Sequence, residues 1–167
     1  MRRNREGRED REELESHSHH RHYADHLSAG LGMRLPSPLT PEADVVMTQT
    51  IGCAIAVHRA LGPGFLESIY RKAMCIELES RDLAFEQERP VRVNYRGVEI
   101  TGQRVDLIVE GLIVVELKAV VRLDEVHRAQ LISYLRTTGL RGGLLINFRV
   151  AALRQGLRRV VLRSTSE

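Results

Sequence analysis

The chain has 167 residues, 43% of them hydrophobic and 28% charged, enough for one domain with a real core and too short for two comfortable ones. That balance excludes wholesale disorder, and the net charge of +3 says little by itself about partners. The most apolar run, residues 107–121, is broken by Glu110, Glu116 and Lys118, which excludes a membrane span. The N-terminus is charged throughout and has no apolar leader segment, so a cytoplasmic protein with no membrane partner is expected. Cys53 and Cys75 both fall in apolar helical patterns and read as free thiols rather than a disulfide framework.

Residues 1–40 hold seven arginines against seven acidic residues and five of the seven histidines, and they end in a Pro/Ser stretch. They carry too little apolar surface to offset ordering entropy, so they read as a disordered, charged, His-rich tail. A His-rich tract can take up metal, but without a fixed scaffold a solvated extension is the plainer reading. The folded domain is expected over 41–167. Thr40 is a good N-cap and Pro41 suits the first helical position, while Glu42 and Asp44 favour the positive end of a helix. Apolar residues at Val46, Ile51, Ile55 and Leu61 predict a helix to about Ala60, stopped by Gly62-Pro63-Gly64. A second helix is predicted from about Leu66 to Arg81, with Ile69, Ala73, Ile76 and Leu78 as its buried stripe.

The period then changes to two. Val91, Val93 and Tyr95 alternate with polar residues, Arg96-Gly97 turns the chain, and 98–109 reads as a second strand. Glu110-Gly111 turns into 112–121, which is apolar on both faces and therefore belongs inside a covered sheet. Residues 127–138 read as a helix ended by Gly139, 143–148 as a short apolar strand and 159–162 as an edge strand. The order helix, three antiparallel strands, helix, strand predicts an α/β sandwich with a mixed sheet covered by helices.

One feature of this pattern carries chemistry. The third strand is apolar except for Glu116 and Lys118, which lie two residues apart and so point the same way. Burying a carboxylate and an ammonium costs several kcal/mol each without compensation. A structural ion pair at a strand end would supply it. So would a metal site with Asp106, since carboxylate oxygens suit a hard cation such as Mg²⁺ and a lysine beside it would offset negative charge or position water. Glu67 sits in the first turn of the second helix, where it is also simply well placed against the helix dipole. Gln130 and Tyr134, four apart on the next helix, share a face.

The stretch Ile51–Tyr70, with Gly64-x-x-Glu67-x-x-Tyr70 at its end, resembles the signature of the small bacterial GxxExxY proteins. Asp106, the run Val114–Val120 and Ala129-Gln130-Leu131-x-x-Tyr134-Leu135 match the same family in the same order, over about residues 42–162. That family is similar to the PD-(D/E)XK nuclease superfamily, whose core has the element order read above. The resemblance implies Asp106, Glu116 and the main-chain carbonyl of Leu117 as metal ligands. It also implies Lys118 as the catalytic lysine, Glu67 as the acidic residue of the preceding helix, and Gln130 with Tyr134 as a QxxxY pair. The residue before Asp106 is Val105 rather than the family's proline.

The function expected on these grounds is hydrolysis of phosphodiester bonds, with Mg²⁺ (Mn²⁺ in its place) as cofactor and nucleic acid, DNA ahead of RNA, as partner. The rival is a non-catalytic nucleic-acid- or partner-binding module on the same fold. The metal reading makes a geometric demand: Asp106 and Glu116 must share a sheet face. A two-residue turn at Glu110-Gly111 would set Asp106 against Val115 and aim Glu116 the wrong way. A three-residue turn, Glu110-Gly111-Leu112, or a bulge near Asp106 sets the register right.

Overall fold

The computed structural model describes residues 37–163. The expected disorder of the tail falls on residues outside these, apart from Ser37–Thr40. Those four already belong to the domain: the Ser37 hydroxyl donates to Asp44, Arg159 bonds to the same carboxylate, and Leu39 packs on the core.

Helix α1 spans Pro41–Leu61, capped by Thr40 Oγ1 accepting from the Ala43 amide. Helix α2 spans Glu67–Glu79. Its buried residues are Tyr70, Met74 and Leu78, whereas Ile69 and Ile76 of the expected stripe lie exposed. The true stripe is spaced by four and led by an aromatic with a polar tip, which an aliphatic count overlooks. Strands β1 (Phe85–Tyr95), β2 (Val98–Val109) and β3 (Ile113–Lys118) form an antiparallel meander. Helix α3 (Glu125–Thr138) then leads to β4 (Gly142–Asn147), which pairs parallel with β3. A single turn, α4 (Leu153–Gly156), precedes β5 (Leu157–Val161), antiparallel to β4.

The five strands lie in sequence order in one mixed sheet. Leu107, Val109, Ile113, Val115, Leu117, Leu144 and Ile146 pack under α1 and α2, while Ile108, Val114, Leu145 and Val160 pack under α3. Residues on successive strand positions thus feed two cores, which is why 113–117 is buried throughout. Each such side chain contributes about 1.5–3 kcal/mol of burial. The mixed α/β sandwich expected from the element order is the fold observed.

Three features of the strands differ from expectation. β1 begins at Phe85, six residues early, because Glu86–Pro90 is exposed and shows no alternation to read; Pro90 is tolerated since β1 is an edge strand. β3 ends at Lys118 rather than Val121. There Asn147 Oδ1 accepts from the Val120 amide and its Nδ2 donates to the Val120 carbonyl, drawing the chain off the ladder. Finally, Val93 and Tyr95 alternate as strands do but are exposed, because the outer half of the β1–β2 hairpin carries little buried surface on either side. No helix among the described residues is long and apolar enough to cross a membrane.

Candidate active site

The hairpin between β2 and β3 settles where the carboxylates project. Val109 pairs with Ile113, Ile108 with Val114 and Leu107 with Val115, which is the three-residue loop Glu110-Gly111-Leu112. Glu110 and Gly111 both take positive φ, 52° and 63°. Glu110 is kept in that unfavourable conformation by its own bonds: its amide donates to Ala84 O, and its carboxylate accepts from the Ala84 amide. Continued one step past Leu107 and Val115, this register sets Asp106 opposite Glu116, on the face shared by Ile108, Val114 and α3. The ladder itself gives way there. Asp106 Oδ2 accepts the Leu117 amide at 2.8 Å, a side chain standing where a backbone carbonyl would be.

Glu116 is 2% exposed, and its Oε1 accepts from Lys118 Nζ at 2.6 Å. Its other oxygen, Oε2, is buried with no hydrogen-bond partner. Burial, together with the negative charge of Asp106, pushes the Glu116 carboxyl up to about 7, against the opposing pull of Lys118. Burial draws the Lys118 ammonium down, but the hydrogen bond and charge of Glu116, with Glu67 and Asp106 behind it, outweigh that and hold it above its ordinary value. Glu67 reaches the same cluster from the first turn of α2. Burial raises its carboxyl, and Lys118 pulls it back. On α3, Gln130 Nε2 donates to Tyr134 Oη at 2.7 Å. Burial raises the Tyr134 phenol, and the charges of Glu116, Lys118 and Asp106 all act on it. The structure therefore gathers Glu67, Asp106, Glu116, Lys118, Gln130 and Tyr134 into one region.

Arg71 is the residue that sequence reasoning missed. Its Nη1 lies 3.1 Å from Asp106 Oδ1 and its Nη2 3.4 Å from Glu88 Oε1. The β1–β2 register places Glu88 opposite Asp106, and Glu88 has a positive φ of 49°. A signal was available: Arg71 is one helical turn after Glu67 on the same face. Asn147, buried at the strand end beside Lys118, is a second omission; a lone Asn closing an apolar strand was its mark. His58, by contrast, has a structural role. Its Nε2 donates to Val150 O at 2.8 Å, and its carbonyl accepts from the Gly62 amide at 2.9 Å.

Among the described residues, no three His, Cys, Asp or Glu side chains converge into a ready-made metal cage. The residues nonetheless fit a hard divalent ion. An orphaned, buried carboxylate oxygen lacks a positive partner, and two carboxylates with a main-chain carbonyl suit an ion that keeps several waters.

A mixed five-stranded α/β sandwich with buried Asp106 and Glu116 and half-buried Lys118 on two adjacent strands defines a restriction-endonuclease-like architecture. A family model of the PD-(D/E)XK nuclease superfamily matches residues 44–160, and the chain belongs to that superfamily. No curated protein and no solved structure matches the chain significantly.

Proposed function

We propose that this protein hydrolyses phosphodiester bonds in nucleic acid, DNA in preference to RNA, with Mg²⁺ or Mn²⁺ held by Asp106, Glu116 and the Leu117 carbonyl. The observation that carries the reading is the partnerless buried Glu116 Oε2 beside Lys118 and across from Asp106. A bound divalent ion would neutralise charge on the phosphate and acidify a water. The protein's own groups do the rest. Lys118, kept protonated by its carboxylate neighbours, offers positive charge where negative charge develops. Glu67 is the acidic group nearest on α2 for holding a proton or a water. Gln130 and Tyr134, locked to each other, orient the α3 wall of the site. The match to Gly64-x-x-Glu67-x-x-Tyr70 supports placing the chain among the GxxExxY proteins within the superfamily.

The direct test incubates plasmid DNA, linear DNA and RNA with the full-length protein in Mg²⁺, Mn²⁺ or EDTA, beside Lys118→Ala. Metal-dependent cleavage is expected, with Lys118→Ala slower by about 10²-fold or more. Cleavage undiminished in Lys118→Ala, or unaffected by EDTA, would remove the reading.

Arg71 makes a second prediction. Its guanidinium already occupies Asp106 Oδ1, and a divalent ion on the same carboxylate would stand within a few ångströms of it. Like charges at that range in a half-wet site cost on the order of 1–2 kcal/mol. Arg71→Gln is therefore expected to bind Mn²⁺ roughly tenfold more tightly in calorimetric titration. Weaker binding would mean that Arg71 braces Asp106 for the metal rather than competing with it.

A further inference from the structure

The turn before α2 presents an aromatic ring to a groove beside the site. Phe65 is 49% exposed although its position is tightly fixed. Its amide donates to Tyr70 Oη at 3.1 Å, and that hydroxyl donates to Gly62 O at 2.7 Å. The Phe65 ring meets the buried Tyr70 ring edge-on, with centroids 6.2 Å apart. Gly62 and Gly64, at φ 65° and 122°, supply the backbone shape that such a turn needs. Phe65 thus stands on a braced support, wet by position rather than by looseness.

The groove, about 440 Å³, is lined by Phe65, Leu66, Glu67, Ala119, Val120 and Arg149. A second hollow continues it past Val120 to Arg122 and His127. One wall therefore carries Glu67 of the candidate active site, and the floor is the chain immediately after Lys118. The charge of the chain is unevenly spread. Residues 119–163 hold nine arginines against Asp124 and Glu125, whereas residues 37–118 hold nine basic against twelve acidic residues. Arg149 and Arg122 come from the basic part.

We infer that this groove binds single-stranded nucleic acid, with a base stacked on Phe65 and the backbone running over Arg149 toward the site. An exposed, rigid aromatic beside arginines is the arrangement that captures unpaired bases, since every base has a face to stack while a paired base keeps its face hidden. The size of the groove suits one strand, and the positive charge on its rim matches a phosphodiester backbone. The inference deepens the nuclease reading, on which it rests: the preferred substrate is a single strand or a frayed end.

The test uses the full-length protein in EDTA, so that binding is measured without cleavage. Fluorescence anisotropy would follow a labelled oligothymidylate, an oligouridylate of equal length, and a duplex of equal length. The single strands are expected to bind more tightly than the duplex, and the two single-strand arms distinguish DNA from RNA. Phe65→Leu, which keeps the apolar bulk and removes the π face, should weaken single-strand binding roughly tenfold, while Phe65→Trp retains it. Arg149→Gln should lower the salt-dependence slope by about 1. Melting curves check that all three variants fold. Equal affinity of wild type and Phe65→Leu for the single strand would overturn the inference. So would a Phe65-dependent dimer in sedimentation with oligonucleotide affinity unchanged, which would make the groove an interface between two copies. The two readings fail separately. Phe65-dependent binding without cleavage in Mn²⁺ would sink the nuclease reading and leave the groove standing. Cleavage with binding indifferent to Phe65 would do the reverse.

Discussion

Asp106→Asn and Glu116→Gln are each expected to abolish divalent-metal stabilisation and to lower cleavage by about 10³-fold or more, the several kcal/mol that metal-assisted charge stabilisation is worth. Scanning calorimetry checks the first effect independently of catalysis. An ion at a hundred times its dissociation constant stabilises the folded state by about 2.7 kcal/mol, several degrees in a domain of this size. The effect has a definite pH sense. The folded-state pKa of Glu116, about 7, lies above the ordinary carboxylate value, so the folded protein holds a proton there more strongly than the unfolded chain does. That contribution is fully present below the ordinary carboxylate pKa and is lost as pH rises through about 7. The metal gains over the same window, because it needs the carboxylate ionised. Mn²⁺ should therefore raise the melting temperature more at about pH 8 than at about pH 6, in wild type and in neither variant. The amide of Glu116→Gln keeps an acceptor for Lys118, which preserves the local packing. A metal-induced shift that survives in both variants, or that grows as the pH falls, would place the ion elsewhere.

The sequence showed most of the fold because the elements that position the site are locally unambiguous. Thr40-Pro41 and Gly139 end helices by capping chemistry that is read directly, and the apolar run at β3 declares a covered central strand. The carboxylate register was also legible, since an odd loop or a bulge was needed to set Asp106 against Glu116, and the chain forms the three-residue loop. What escaped were features decided across the fold. Phe85–Pro90 pairs with β2 although its own residues show no strand pattern, because the ladder and not side-chain burial holds an edge strand. Arg71 acquires its meaning from Glu88 and Asp106, 17 and 35 residues away; its place one turn after Glu67 marks its face but not these partners. Phe65 likewise has no local mark in the sequence that sets it apart. Its exposure and its neighbour Arg149 emerge only when β4 brings residue 149 beside α2.

The tyrosine of Gly64-x-x-Glu67-x-x-Tyr70 is expected to carry the largest share of stability of any motif residue. Tyr70 is fully buried, stacks on Phe148 with centroids 4.5 Å apart and planes 5° from parallel, and ties the turn before α2 through its hydroxyl. Tyr70→Ala removes the ring from the core that joins α1, α2 and β4, and should cost about 3–5 kcal/mol in denaturant unfolding. Tyr70→Phe is the more informative change. It keeps the stack and removes one hydroxyl, leaving the Gly62 carbonyl and the Phe65 amide without their shared partner at a cost of about 1–3 kcal/mol. Because that hydroxyl holds the turn leading directly into Glu67, cleavage by Tyr70→Phe should fall more than its folded fraction does, at temperatures where it remains folded. A Tyr70→Phe protein as stable as wild type would show that water satisfies the turn as well as the phenol does. A large loss of stability with full activity per folded molecule would confine Tyr70 to the core and free the position of Glu67 from it.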